Sequence, residues 1–257
     1  MREIRLYDSL TGQLVPVSAG DAIRVEVRSS PTGSDGGVDV ESTRPLVLFS
    51  FLERFLQREG FGTKFLFDSP TGEDMLYELS DAHEHLSAPD SAGDCDTEMS
   101  LLEVPRSDVD RWVNICFGAG RDGEQWEPAP PSERIVLSDA LERFGHPAVA
   151  LYLLGTHYSL PLGDASTGLA TGSRNAVRIR EVVKTLAPEE PSPPDMRHYV
   201  EAFRDALAND LDTPLAFVVL FEWVLEAERR GGRIGDEDLR VMLELLELED
   251  LAAPVGA

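Results

Sequence analysis

Near the N-terminus the apolar positions repeat with two different periods. In residues 21–28, Ile23, Val25 and Val27 alternate with polar neighbours, which is the period of a half-buried strand. A loop rich in Gly, Ser and Pro follows over 29–37. The period then changes: Leu48, Phe49, Leu52, Phe55 and Leu56 fall at helical spacing, with Pro45 near the first helical position and Gly60 past the end. Residues 63–68 (TKFLFD) read as a second strand and 71–86 as a second helix. Strand, helix, strand, helix with short connections predicts a parallel βαβ unit. The polar loops 87–96 and 120–133 lie around two further candidate strands, MSLLEV and WVNICF.

After about residue 133 the helical period takes over. Residues 138–145, 146–158, 172–186, 196–210, 212–231 and 236–251 all read as helices, with 187–195 as a Pro-rich linker. Ser138 and Asp212 or Thr213 are candidate N-caps, and Gly231–Gly232 is a stop. The predicted fold class is α/β. A reduced Rossmann-like parallel-sheet domain (1–132) precedes an all-helical bundle domain (133–257).

Composition narrows the function classes. Of 257 residues, 42% are hydrophobic, enough for a real core. The net charge of -24 repels phosphate backbones, so tight tRNA binding is not expected. Cys95 and Cys116 are too few for a disulfide scaffold or a four-cysteine zinc site. With no signal peptide and no long apolar run in view, the expectation is a cytoplasmic protein without membrane contact.

Several stretches together resemble cysteinyl-tRNA synthetase, a class I aminoacyl-tRNA synthetase. IRLYDSLTGQLVPV is similar to that family's opening strand and turn, and RPLVLFSFLERFLQREGFGTKFLFD to its first helix and second strand. LSDALERFGHPAVALYLLGTHYSLPL resembles the passage into the helical domain. ANDLDTPLAFVVLFEWVLEAER resembles the family's Asn/Asp-rich helix start.

The resemblance implies a nucleotide cleft, but the residues that would serve it have changed. The family's His-Ile-Gly-His motif precedes its Arg-Pro. Counted back from Arg44–Pro45, those positions hold Asp39, Val40, Glu41 and Ser42. The lysine that follows the family's Asp-Gly-Glu turn is also missing: after Asp122, Gly123 and Glu124 come Gln125, Trp126, Glu127 and Pro128. The position of the strand-end zinc cysteine falls near Arg28 or Ser29, although the Pro31–Thr32 turn survives, and the expectation from the resemblance is that the other zinc ligands and the anticodon domain are lacking. A carboxylate about 4 Å from a phosphate repels it by roughly 1 kcal/mol in water and about 4 near a protein surface. Asp39 and Glu41 can instead complement the helix dipole. The remnant cleft thus comprises Pro31, Thr32, Asp39, Glu41, Ser42, Arg44, Asp122, Gly123 and Trp126. The expectation is closure to ATP, with no catalytic residue, no cofactor and no metal.

Other signals have ordinary readings. His83 and His85 point about 200° apart on a helix and cannot share an ion. Cys95 sits between two acids that dull a thiol, Cys116 reads as core, and His157–Tyr158 as packing. The leading functional reading is a non-catalytic cysteinyl-tRNA synthetase-like protein that binds a protein partner or a small-molecule ligand. One alternative is a ligase or transferase acting on a pre-activated substrate, with Asp35, Asp39 and Glu41 as acids, bases or magnesium ligands. Another is weak RNA binding through Arg174, Arg178, Arg180, Lys184, Arg229, Arg230 and Arg233.

Overall fold

The computed structural model describes residues 2–18, 21–27, 38–61, 64–68, 111–117, 134–188, 190–231 and 234–252. It is a mixed α/β structure that divides into two compact units, residues 3–137 with 158–161 and residues 138–157 with 162–257. The expected helix at 71–86, the strand MSLLEV and the loop 120–133 lie outside the described residues.

The first unit opens with a hairpin, β1 (Arg5–Asp8) against β2 (Gln13–Pro16), antiparallel with Leu6 opposite Val15. Asp8 fixes the turn. Its Oδ1 accepts the amides of Leu10 (3.0 Å) and Thr11 (2.8 Å), and Gly12 turns the chain at φ 69. Three parallel strands follow, β3 (Asp21–Val27), β4 (Lys64–Asp68) and β5 (Arg111–Phe117), in the order β4-β3-β5. Ile23 aligns with Phe65 on one side and Val113 on the other. The predicted strands 21–28, 63–68 and WVNICF therefore all form, in parallel register. Oδ2 of Asp8 reaches β5, accepting the amide of Asn114 at 3.0 Å, so one carboxylate joins the hairpin to the sheet.

Helix α1 (Arg44–Arg58) supplies the crossover between β3 and β4. Leu48, Phe51, Leu52, Phe55 and Leu56 are buried at helical spacing, each worth roughly 1.5–3 kcal/mol. Its end is closed by Gly60 at φ 87: Gly60 donates to the Gln57 carbonyl (3.0 Å) and Phe61 to the Leu56 carbonyl (2.9 Å). That pairing needs a left-handed residue, and glycine supplies it without a Cβ penalty.

The second unit is helical. Its elements are α2 (Leu137–Phe144), α3 (His146–Leu154), α4 (Ala165–Val183), α5 (Arg197–Ala208), α6 (Thr213–Arg229) and α7 (Glu237–Leu245). Helix α3 is apolar all round and correspondingly buried, as expected of a central helix. Helix α4 lies close against it through Gly168 and Gly172. A Cβ at Gly172 would stand 2.4 Å from the Ala148 carbonyl oxygen, and one at Gly168 would stand 2.2 Å from the Tyr152 ring.

Several helix ends differ from expectation. Ser138 lies inside α2 rather than capping it. Helix α3 stops at Leu154, before His157, and Gly155 is its C-cap. Helix α4 begins at Ala165 rather than 172, because Asp164 caps it by accepting the Thr167 amide at 2.8 Å. The segment 236–251 is broken after Leu245: Glu247 takes φ 58, and a short 3-10 turn, Glu249–Leu251, follows. Asp212 does cap α6, accepting the Leu215 amide at 3.0 Å, and Gly231 at φ 72 stops it. The Pro-rich linker is tied down where Ala187 bridges Gly235.

Candidate functional site

The start of α1 is where sequence reasoning placed the remnant cleft. Of its residues, Asp39, Glu41, Ser42 and Arg44 come together in one turn, while Pro31, Thr32, Asp122, Gly123 and Trp126 lie outside the described residues. The approach to the turn is held by a short bridge to residues 135–137. The Val40 amide donates to the Ile135 carbonyl and the Leu137 amide to the Val38 carbonyl, both at 2.9 Å. Glu41–Thr43 then form a 3-10 turn that runs straight into α1, with Pro45 in the first helical turn.

The polar groups of this turn bond to one another. Asp39 Oδ1 accepts the Ser42 amide at 2.9 Å, and the Ser42 hydroxyl donates back to the Asp39 carbonyl at 2.8 Å. The Thr43 amide and hydroxyl both reach the Val40 carbonyl, at 3.3 and 2.7 Å. Ser42, Thr43 and Arg44 are buried. The Arg44 guanidinium, 4% exposed, donates to the Leu160 carbonyl at 2.7 Å. A buried cation is costly unless bonded, so this contact holds the side chain inward.

The first amides of a helix are what make its N-terminus attractive to phosphate. In the turn that leads into α1, the amides of Val40, Ser42, Thr43 and Arg44 are spent on protein acceptors, Pro45 has no amide hydrogen to offer, and the Asp39 carboxylate lies on the side of the positive end of the dipole. Chemically, the polar groups of the turn satisfy one another.

The remaining candidates have structural partners. His157 Nε2 lies 2.9 Å from the Asp210 carbonyl oxygen and 3.6 Å from its buried carboxylate. Tyr158 meets the Phe117 ring edge-on at 5.5 Å. Cys116 is half-buried on β5. His83, His85 and Cys95 lie outside the described residues, among which no group of three or more His, Cys, Asp or Glu is placed to hold a metal. Several arginines considered for RNA are already engaged. Arg178 makes two bonds to Glu228, at 3.1 and 2.6 Å, and Arg230 pairs with both Asp195 and Glu226. Lys184 pairs with Glu181.

Sequence reasoning missed one feature. The helical unit carries an open groove of about 770 Å³, walled by α4 and α6 with Tyr152 of α3 at its floor. The signal was present in α6, which is apolar on nearly every side and so has more hydrophobic surface than one core face needs.

No family model matches the chain. Curated relatives do. The chain is 30% identical over 151 residues to the cysteine–tRNA ligase of Azotobacter vinelandii, covering 57% of this chain and 31% of that protein. It is 26% identical over 118 residues to the cysteine–tRNA ligase of Fervidobacterium nodosum, covering 44% and 25%. It is 33% identical over 119 residues to an L-cysteine:1D-myo-inositol 2-amino-2-deoxy-alpha-D-glucopyranoside ligase of Saccharomonospora viridis, covering 46% and 28%. A solved LeuRS–tRNA complex from Agrobacterium radiobacter K84 overlays 58% of this chain and 24% of its own, at a TM-score of 0.41 and 16% identity, a likeness too slight to assign a fold. The chain spans between a quarter and a third of the length of these curated relatives. Over that part of their length, the chain is related to the cysteinyl-tRNA synthetases.

Proposed function

We propose that this chain is a non-catalytic relative of cysteinyl-tRNA synthetase that acts by binding, with its adenylate site closed. Residues 1–132 form a reduced Rossmann-like domain and 133–257 a bundle like the family's post-catalytic helical region, working in the cytoplasm. The observation that carries this reading is the hydrogen-bonded turn before α1. Asp39 occupies the Ser42 amide, and Val40 and Thr43 donate to carbonyls, where an ATP site needs free donors. The sequence adds support, since no lysine follows directly after Asp122–Gly123–Glu124. The engaged arginines and the charge of -24 weigh against RNA binding.

A second reading has one observation in its favour: the Saccharomonospora viridis relative is named as a ligase of L-cysteine with an amino-sugar acceptor rather than tRNA. On that reading the chain is a ligase or transferase with altered chemistry, taking a substrate activated elsewhere. ATP–pyrophosphate exchange with cysteine tests whether activation survives. The expected rate equals that of the protein-free blank. Saturable, ATP-dependent exchange above it contradicts the closed site.

A further inference from the structure

We propose that the groove between α4 and α6 docks a basic amphipathic helix of a protein partner. This names a partner for the binding role above, but it rests on the helical unit alone and stands or falls separately from the adenylate site.

The groove has the dimensions and chemistry of a helix receptor. Its α6 wall presents Val218, Phe221 and Leu225, three and then four residues apart, with Val218 53% and Leu225 37% exposed to solvent and the buried Phe217 beside them. The other face of the same helix, including Leu220, Trp223 and Val224, is already buried in the core. The α4 wall runs from Thr167 to Arg178 and the α6 wall from Pro214 to Leu225. At about 1.5 Å per residue, each is roughly 16 Å long, or three helical turns. Gly168 and Gly172 bring α4 down onto α3, with the Tyr152 ring forming the floor of the groove. Two helical walls and an apolar stripe of i, i+3/i+4, i+7 spacing fit the face of a third helix.

Charge complementarity sets the sign of that partner. Arg178 is bound at two points to Glu228 and so contributes no net charge to the groove. The carboxylates of Asp164 and Glu222 remain along its lining. Hydrogen bonds from Thr167 and Ser166 hold the Asp164 carboxyl below the usual range, keeping it ionised. Glu222 makes no ion pair or hydrogen bond among the described residues. The side-chain amide of Asn175, on the α4 wall, is likewise without a partner there. With -24 on the whole chain, a second copy would be repelled and a cationic helix attracted.

The test is fluorescence anisotropy with the full chain and two labelled model helices at physiological salt. One alternates Leu and Lys to give an apolar face and a basic one; the other replaces Lys by Glu. The Leu/Lys helix is expected to bind and the Leu/Glu helix not to. Val218→Glu and Glu222→Lys, both at exposed positions, are each expected to weaken binding by about tenfold or more. Unchanged helicity and melting of the variants control for folding. Equal binding to the Val218→Glu variant would mean adsorption to an acidic surface and overturn the proposal, as would absence of binding or equal binding of both helices. A wild-type dimer in sedimentation that Val218→Glu dissociates would overturn it too, by giving the groove to a second copy. Pyrophosphate exchange is unaffected by either outcome.

Discussion

Asp8 is a residue whose removal should destabilise the first unit. It is 3% exposed and accepts amides from Leu10, Thr11 and Asn114, so one carboxylate serves both the hairpin turn and the sheet. Burial pushes its carboxyl up, but the hydrogen bonds from Asn114 and Thr11 outweigh this and hold it below its ordinary 3.8. Asp8→Ala should lose roughly 1–3 kcal/mol, since it leaves buried donors unpaired. The pH dependence has a definite sign. A depressed folded pKa gives stability that is complete above the unfolded value near 3.8 and lost as pH falls through the folded value. The gap between wild type and variant should therefore narrow as pH falls below about 4; a gap that stays constant to lower pH would show that the carboxylate charge is not the cause. Asp8 was not singled out in the sequence, where an aspartate before Ser-Leu-Thr-Gly reads as a turn residue and its bond to Asn114, 106 positions away, is invisible. Asp39 was legible because the comparison with a histidine motif drew attention to it.

At the scale of elements, legibility followed how local the determining interaction is. Helix α1 could be placed from both ends, since Pro45 and Gly60 act within one turn. The start of α4 could not, because the run Asp-Ala-Ser-Thr-Gly over 164–168 has the composition of a loop and is made helical by the Asp164 cap and by contact with α3. The two glycines of α4 appear as weak helix positions in sequence, each about 1 kcal/mol worse than alanine by propensity alone. Packing reverses that sign at Gly172, where the obstacle to a Cβ is the backbone oxygen of Ala148 rather than a movable side chain. Gly172→Ala is expected to destabilise by about 1–3 kcal/mol. Gly163→Ala, with nothing within 4 Å of its added Cβ, should stay within about 0.5 kcal/mol of wild type. Denaturant melts of the two variants decide the matter: a stabilised Gly172→Ala protein would mean that α3 and α4 are less tightly apposed than their backbones imply.

At the scale of the whole molecule, the parallel βαβ arrangement and the helical second half were both readable, because a change of hydrophobic period survives without any tertiary information. The groove of the helical unit was legible only as the surplus apolar surface of α6, because its shape arises from the placement of α4 beside α6, which no periodicity encodes. Among the described residues no helix is long and apolar enough to cross a membrane. The chain is related to cysteinyl-tRNA synthetases over part of their length, and the turn before α1, which we propose is closed to ATP, has its Ser42 amide bonded to Asp39.

The most direct test of that closure is thermal melting of the chain with and without a non-hydrolysable cysteinyl-adenylate analogue, with ATP and cysteine as controls. A ligand at about a hundredfold its dissociation constant stabilises a fold by roughly 2.7 kcal/mol, and each kcal/mol is worth about 2–4 °C in a chain of this size. The account predicts no shift with any of the three. A rise of about 5 °C or more with the analogue would mean that the pocket still accepts an aminoacyl adenylate and that the Asp39–Ser42 cap opens to admit it.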